Sequence, residues 1–320
     1  MNSIAIGIDI GGTNTLVGAV DKEGNVIARH SFPTHTHSDY TIYLNQLVDE
    51  IRKMLGQVSG DISVEGIGVG APNGNYYNGT IEFAPNLNFE GVVPVISYLQ
   101  KHFDYPVQVL TNDANAAAVG EMVYGGARGM KDFIMITLGT GVGSGIVSGG
   151  KLLYGSDGFA GEIGHTIYDP DGRECGCGRR GCLETYTSAG GLKRTVFELL
   201  ADSRTESALR AIPYDELSAH DIDKAARQGD PIARKAFDIT GKILAVKLAD
   251  AVAHTSPEAI FIFGGVAQAR ELLFEPLTKY FEQMLLTVYK GHVKIHPSAL
   301  PPGDAAILGA AALVWQHQSN

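Results

Sequence analysis

The chain has 320 residues, of which 44% are hydrophobic and 19% charged, a composition typical of a globular protein rather than a disordered or fibrous one. Its 25 lysines and arginines against 35 aspartates and glutamates give a net charge of −10, which disfavours a partner made of nucleic acid or anionic lipid. No stretch reaches the about 18 uninterrupted apolar residues that a membrane span needs. The start of the chain lacks the features of a signal peptide, so we expect a cytoplasmic protein without a membrane anchor.

The first half of the chain predicts strands that alternate with helices. Alternating small and β-branched residues predict strands, and apolar residues at three- and four-residue spacing predict a helix over 44–55. The alanine-rich segment after Asn112 predicts a second helix, and the residues between 71 and 90, rich in Asn, Gly and Pro, predict an irregular loop or hairpin. The strands expected here are Ile4–Ile10, Leu16–Val20, Val26–Phe32, Val64–Gly70 and Val107–Leu110.

A strand–glycine turn–strand unit occurs twice, about 130 residues apart. The first runs through Asp9–Asn14 (DIGGTN) and the second through Leu138–Gly143 (LGTGVG). Later segments predict a long helix from Asp230–Pro231 to about His254, a strand over Ala259–Phe263 that ends at two glycines, and a helix of small residues over Ala305–Trp315. At roughly 150 residues per domain, the repeat predicts two similar domains that face each other across a cleft.

The glycine turns suit phosphate binding. A turn without Cβ atoms lets backbone N–H groups approach an anion, and Asp9 adds a carboxylate that can hold a hydrated Mg²⁺. Two such turns together would suit a nucleoside triphosphate. From the residues alone, ordinary hairpin turns remain an alternative for each of them.

All three cysteines lie within eight residues of one another, in a chain without a partner cysteine elsewhere. With His165 they form the pattern His-x9-Cys-x-Cys-x4-Cys, a Cys₃His donor set that fills a tetrahedral Zn²⁺ with no open position. Such a site is structural and would order a glycine-rich loop. Three free thiols beside an unrelated histidine are the alternative. The predicted zinc ligands are His165, Cys175, Cys177 and Cys182.

Asn112 and Asp113 follow an apolar strand and precede the alanine-rich helix. Either residue is a common helix N-cap. Asp113 is also placed to accept a proton from a substrate hydroxyl.

Taken together, these motifs resemble those of the ROK family of sugar kinases, within the superfamily of sugar kinases, heat-shock chaperones and actin. The resemblance extends over nearly the whole chain and includes Asn112–Ala116 (NDANA). Its most specific parts are Glu162–His165 (EIGH) and Cys175–Glu184 (CGCGRRGCLE), in register with each other. It implies an α/β, two-domain, actin-like ATPase (ribonuclease H-like) fold with an interdomain cleft. The domains expected are a small one, residues 1–112 with 305–320, and a larger one, residues 113–304, which carries the second phosphate loop and the zinc site.

The resemblance also assigns roles to residues. Asp113 resembles the catalytic base that takes a proton from the sugar hydroxyl as this attacks the γ-phosphate of ATP. Asn86, Asn112, Asp113, Glu162, His165 and Glu184 match sugar-binding positions. The nucleotide side comprises Asp9, Gly11, Gly12, Thr13, Asn14, Gly139, Thr140, Gly141, Gly264 and Gly265. His165 would then both bind zinc and contact the sugar.

The resemblance implies an ATP-dependent hexose kinase of the glucokinase type, with ATP, Mg²⁺ and structural Zn²⁺, acting as a homodimer. Kinases of N-acetylmannosamine, N-acetylglucosamine, fructose or allose are the alternatives within the family. The family also includes sugar-sensing repressors, but these carry an N-terminal helix-turn-helix, and here the first phosphate strand already starts at Ile4. A sugar-binding protein without turnover would lack Asp113 or a glycine loop, and both are present.

Overall fold

The structure, a computed structural model, describes residues 2–36 and 38–318. It is a mixed α/β structure, as expected from the sequence. Packing divides the chain into two compact units. The first unit comprises Met1–Met130, Gly145–Gly161 and Ser298–Asn320, and the second comprises Lys131–Ser144 and Glu162–Pro297.

The strands include every one expected from the sequence, most of them extended by one or two residues. In chain order they are β1 (Asn2–Ile10), β2 (Asn14–Asp21), β3 (Val26–Pro33), β4 (Ile62–Ala71), β5 (Gly74–Asn75), β6 (Thr80–Glu82), β7 (Val92–Val93), β8 (Val107–Asn112), β9 (Phe133–Leu138), β10 (Val142–Ser148), β11 (Lys151–Leu152), β12 (Ala259–Phe263) and β13 (Lys294–Pro297).

The helices expected over 44–55, after Asn112, from Asp230 and over 305–315 are all present. The full set is α1 (Tyr40–Leu55), α2 (Val95–Leu99), α3 (Asp113–Val123), α4 (Glu184–Thr187), α5 (Ala189–Asp202), α6 (Ala219–Arg227), α7 (Pro231–Thr255), α8 (Glu271–Met284) and α9 (Ala305–Gln318). In the described part of the chain, none of these helices is both long and apolar enough to cross a membrane.

The main sheet of the first unit has the strand order β3-β2-β1-β4-β8. β1 and β2 form an antiparallel hairpin, whereas β1, β4 and β8 run parallel. In this register Asp9 pairs with Gly70, and Ala71 pairs with Asn112. The carboxyl ends of parallel strands meet at one edge of a sheet, so the fold brings Asp9 and Asn112 to the same edge.

The two faces of strand β1 carry different side chains because successive residues point to opposite faces. Ile4, Ile6, Ile8 and Ile10 are buried in a core that includes the apolar side of α1. The small-residue helix α9 packs against β1 and β4. A Cβ atom at Gly68 of β4 would lie 1.9 Å from the Ala310 carbonyl oxygen, so this close helix–strand packing requires glycine.

The second sheet has the order β11-β10-β9-β12-β13, and β12 runs parallel to both β9 and β13. Phe263 pairs with Thr137, which brings Gly264 beside the start of the second glycine turn. The division by packing also places residues 113–130, 145–161 and 298–304 with the first unit. The functional boundaries at 112/113 and 304/305 stay a prediction.

Helix α3 is held to the segment before α9 by one buried carboxylate. Glu121 is fully buried and accepts hydrogen bonds from the Gly126 N–H at 2.7 Å, the Ser298 hydroxyl at 2.5 Å and the Ala299 N–H at 3.0 Å. Because Glu121→Ala would leave three donors without this acceptor, we expect it to lower the free energy of unfolding by about 3 kcal/mol. Chemical denaturation would measure this. The control is Glu23→Ala, a change at an exposed residue of the same unit, which should lower the free energy of unfolding by less than about 0.5 kcal/mol. Equal losses of stability in the two variants would contradict the prediction.

Candidate functional site

The first glycine loop, Gly11–Asn14, joins β1 to β2. It is closed by the Gly11 N–H, which donates to the Asn14 carbonyl at 3.0 Å, and it is tied down by the Thr34 N–H, which donates to the Thr13 carbonyl at 2.9 Å. Within residues 2–36 and 38–318, the backbone N–H groups of Gly12 and Thr13 have no hydrogen-bond partner. Two adjacent free donors in a tight turn are able to bind an anion. Phosphate binding at this loop stays a prediction.

Asn112 and Asp113 stand at the junction of β8 and α3. Asn112 is the N-cap of α3, and its Oδ1 accepts a hydrogen bond from the Ala114 N–H at 2.8 Å. The capping interpretation therefore holds for Asn112. Asp113 is the first helical residue; its Oδ1 shares the same N–H at 2.8 Å. Its second carboxylate oxygen is left for other contacts.

Two carboxylates in the first unit have raised pKa values. Burial, together with the negative charge of Asp113, raises the pKa of Asp9 to about 7. Asp113 keeps a solvent-accessible face, yet surrounding protein atoms displace much of its water, and this desolvation raises its pKa, opposed by the hydrogen bond from Ala114. The negative charge of Asp113 disfavours ionisation of Asp9, and a cation bound at Asp9 would relieve this.

The second glycine loop, Gly139–Gly143, joins β9 to β10. The Gly139 N–H donates to the Gly141 carbonyl at 3.0 Å, and the Gly143 N–H donates to Thr137 Oγ1 at 3.2 Å. Among the described residues, the N–H groups of Thr140 and Gly141 have no hydrogen-bond partner. The second loop therefore repeats the arrangement of the first, with two free donors in a glycine turn.

A cavity of about 510 Å³ opens beside this second loop, within the second unit. Gly264 follows β12 at φ +109°, where a Cβ atom would lie 2.4 Å from the Leu138 carbonyl oxygen, so the turn requires glycine. The cavity volume lies in the range of small-molecule sites. Its lining comprises Gly139, Thr140, Ala189, Leu192, Ser218, Ala219, His220, Asp223, Phe237, Gly265, Val266, Gln268 and Ala269.

The polar side of this cavity could not be predicted from the sequence. Ser218, His220 and Asp223 belong to the start of α6, and Ser218 forms a capping box with Asp221. That capping pattern predicts where a helix begins, but nothing in it indicates that the helix lines a cavity beside a loop some 80 residues earlier.

The cysteine cluster has the geometry of a metal site. The ligand atoms of His165, Cys175, Cys177 and Cys182 all lie within 4.8 Å of one another, and the cysteines are not disulfide-bonded. Cys177 Sγ lies 3.6 Å from Cys182 Sγ, and Cys175 Sγ lies 3.8 Å from His165 Nδ1. A tetrahedron with Zn–S bonds of about 2.3 Å has edges of about 3.8 Å, so these two pairs already have the spacing of zinc ligands. Donor atoms at the 4.8 Å limit would move together by about 1 Å on binding the metal.

The loop that carries the cysteines is anchored by Arg173. Its guanidinium is buried, stacks on the Tyr186 ring at 4.5 Å, and donates to the Thr185 and Gly191 carbonyls at 2.7 and 3.0 Å. It also forms an ion pair with Glu198 of α5. The cluster is therefore fixed to the helices behind it.

The residues expected to bind a sugar fall into two groups. Asn86, Asn112 and Asp113 belong to the first unit, whereas Glu162, His165 and Glu184 belong to the second. Glu184 also connects two other features: its Oε2 accepts from the Val142 N–H at 2.9 Å, and its Oε1 lies 3.9 Å from Cys175 Sγ. This carboxylate thus joins the second glycine loop to the cysteine cluster, a contact that the sequence analysis did not foresee.

Comparison with known proteins gives consistent matches over nearly the whole chain. Residues 5–317 match the sequence model of the ROK family. A glucokinase of Halalkalibacterium halodurans is 34% identical over 98% of this chain and 96% of its own length. A xylose repressor of Caldicellulosiruptor bescii is 30% identical over 97% of this chain and 77% of the repressor.

Among solved structures, a ROK family glucokinase from Streptomyces griseus in complex with glucose and AMPPNP is 34% identical. It superimposes with a TM-score of 0.80 and covers 98% of this chain and 99% of that chain. The actin-like ATPase fold expected from the sequence motifs is thereby confirmed.

Proposed function

Because the chain belongs to the ROK family, we propose that it is an ATP-dependent sugar kinase that transfers the γ-phosphate of ATP to the 6-hydroxyl of glucose. The observation that carries this proposal is the pair of carboxylates Asp9 and Asp113, with raised pKa values, in the unit that also holds the first glycine loop. The glucokinase that resembles this chain in sequence, and the one that resembles it in structure, favour glucose as the acceptor.

Asp113 acts as the general base in this proposal. Its free carboxylate oxygen accepts the proton of the attacking hydroxyl, while the cap formed by Asn112 keeps the start of α3 in place. A raised pKa makes the carboxylate a better proton acceptor once it is ionised. Asn112 offers its amide nitrogen to the sugar, because its Oδ1 is occupied by the cap.

The glycine loops hold the phosphates of ATP. The free N–H groups of Gly12, Thr13, Thr140 and Gly141 donate to phosphate oxygens. Asp9 holds the Mg²⁺ that accompanies ATP, a cation that would neutralise the two neighbouring carboxylates. The cavity beside Gly265 receives the nucleoside, in agreement with its volume. Phosphoryl transfer asks for alignment and charge neutralisation more than covalent chemistry, and these groups supply both.

The Cys₃His cluster binds one structural Zn²⁺ in this proposal. The donor set is complete without water, so the metal would order the loop rather than take part in the reaction. Against its desolvation, hydrogen bonds from Arg179 and from the other two thiols lower the pKa of Cys177 to about 6, which favours its thiolate. Burial raises the pKa values of Cys175 and Cys182, so zinc would displace the protons of these two thiols as it binds. The proposal also includes sugar contacts from four further side chains, those of Asn86, Glu162, His165 and Glu184. It places the protein in the cytoplasm as a homodimer.

A coupled ADP-release assay over a panel of sugars tests the substrate. We expect glucose to have the highest kcat/KM, and N-acetylmannosamine, N-acetylglucosamine, fructose and allose to be at least about fivefold poorer, because an unpaired polar group in a sugar site costs about 1 kcal/mol or more. A higher kcat/KM for one of the others would replace glucose as the substrate. If no sugar of the panel led to ADP release, the kinase assignment would be overturned.

A further inference from the structure

A contact network joins the first glycine loop to the loop that carries Asn86. We call residues 84–89 the acceptor loop and residues 32–35 the bridging segment. We propose that Tyr43 of α1, together with the bridging segment, is a positioning device that couples sugar binding at the acceptor loop to the phosphate grip of Gly11–Asn14. This inference rests on the proposed function and goes beyond it, because Tyr43 has no direct role in binding or catalysis.

The bridging segment contacts the glycine loop first. The Thr34 N–H donates to the Thr13 carbonyl at 2.9 Å, and His35 Nδ1 lies 3.1 Å from the same oxygen. Thr34 Oγ1 lies 2.8 Å from Thr15 Oγ1, with both threonines fully buried. Three contacts therefore fix the end of the glycine loop to residues 34 and 35.

The same segment contacts the acceptor loop. Asn88 Nδ2 donates to the His35 carbonyl at 2.9 Å. The two loops also touch directly, because a Cβ atom at Gly12 would lie 2.8 Å from the Asn86 carbonyl oxygen. A displacement of the acceptor loop would therefore move Gly12, which precedes Thr13, and also His35, which contacts the Thr13 carbonyl.

Tyr43 lies behind both loops and is fully buried. Its hydroxyl is 2.7 Å from Thr15 Oγ1, and its ring lies 5.0 Å from the Phe89 ring of the acceptor loop. The ring also packs on Phe32 at 6.0 Å. One rigid aromatic side chain thus contacts Thr15, the residue that directly follows the glycine loop, through its hydroxyl and the acceptor loop through its ring. A two-ended contact of this kind is suited to positioning.

The central test is Tyr43→Phe in the full chain, which keeps the ring and removes only the hydroxyl. We measure the affinity for AMPPNP with and without saturating glucose; the ratio is the coupling factor. We expect this factor to fall about fivefold, the effect of one hydrogen bond with a net worth of about 1 kcal/mol, while the affinity for glucose alone changes less than twofold. Thr34→Val should act in the same direction, and Thr34→Ser, which keeps the hydroxyl, should restore coupling.

The matched control is Tyr124→Phe. It removes a tyrosine hydroxyl from the same unit, at a site where the hydroxyl contacts the Asp21 carbonyl rather than either loop. A purely structural role for Tyr43 predicts that both variants lower the melting temperature and leave coupling unchanged. That result, or a wild-type coupling factor of one, would overturn the inference.

Hydrogen exchange of the ligand-free protein separates this inference from the proposed function. Asn88→Ala alters only the acceptor-loop end of the network, yet we expect it to speed hydrogen exchange of the Thr13–Thr15 amides. Tyr43→Phe should also speed this exchange, whereas Tyr124→Phe should leave it unchanged. Unchanged exchange in both of the first two variants would contradict the coupling. A wild-type protein that phosphorylates no sugar would refute the kinase proposal, and the exchange result would still decide whether the loops are coupled.

Discussion

Replacement of Asp113 by asparagine is expected to lower kcat by about 10²- to 10⁴-fold, the usual contribution of a general base. The amide oxygen of asparagine can still accept the hydrogen bond from the Ala114 N–H, and Asn112 still caps α3, so the fold should be unchanged. What is lost is a group that can take the proton of the attacking hydroxyl. Binding of glucose, measured by calorimetry, should weaken by no more than about tenfold, because the asparagine oxygen still accepts a hydrogen bond, although a weaker one than the ionised carboxylate accepts.

The pH dependence of kcat gives a second measure of the same role. A base must be ionised to act, and the pKa of Asp113 is raised, so wild-type activity should fall as the pH drops through a value above that of an ordinary carboxylate. Asp9, with a pKa of about 7 in the metal-free protein, must lose its proton to hold Mg²⁺, so it contributes to the same acid limb. Asp230→Asn, at the N-cap of α7 in the second unit, is the matched control and should keep full activity. A near-normal kcat in Asp113→Asn would remove this residue from the mechanism.

The elements around the sheet edge that carries Asp9 and Asn112 were predictable because their signals are local. β-branched and small residues alternate through β1, and the turn at Gly11–Asn14 has the residues that a tight strand connection requires. Asn112 falls where an apolar strand meets an alanine-rich helix, and the structure confirms it as the cap. Strand ends and helix caps are set by neighbours in sequence, which is why these positions could be found without the fold.

The segment between β4 and α2 was harder to interpret. Its Asn- and Gly-rich residues predict a loop or hairpin, and the structure shows β5, β6 and β7 paired as a small antiparallel sheet. Strands of two or three residues are too short to display a period of two. Their pairing depends on distant packing instead: a Cβ atom at Gly74 would lie 2.4 Å from the Thr111 carbonyl oxygen of β8.

The contacts of Glu184 and the lining of the cavity could not be read from the sequence for a related reason. Glu184 accepts from the Val142 N–H across 42 positions of the chain, and His220 approaches Gly265 only through the packing of α6. A motif identifies a residue type and a spacing, whereas these contacts depend on how helices pack against a sheet. The boundaries of the functional domains also depend on such packing. The sequence predicts a boundary after Asn112, whereas α3, which follows it, packs with the first unit.

Loss of one zinc ligand is the other change expected to have a large effect. Metal analysis of freshly purified protein should find about one zinc per chain, as four donors in a closed tetrahedral set predict. Cys177→Ser replaces a thiolate by a poor ligand, and we expect it to lower the free energy of unfolding by about 4 kcal/mol, since loss of a metal is among the largest single-residue effects. For a domain of this size the melting temperature should fall by roughly 10 °C.

The proposed position of His165 links this metal to the sugar. If His165 both binds zinc and contacts the sugar, Cys177→Ser should weaken glucose affinity together with stability, and excess zinc should restore neither. Glu174→Gln is the matched control: it lies in the same loop and loses only an exposed ion pair with Arg180, which is worth under about 1 kcal/mol, so zinc content and glucose affinity should be retained. Protein that contains no zinc, or a Cys177→Ser variant as stable as Glu174→Gln, would show that the cluster holds free thiols. Unchanged glucose affinity in a destabilised, zinc-free variant would keep the metal site and separate it from sugar recognition.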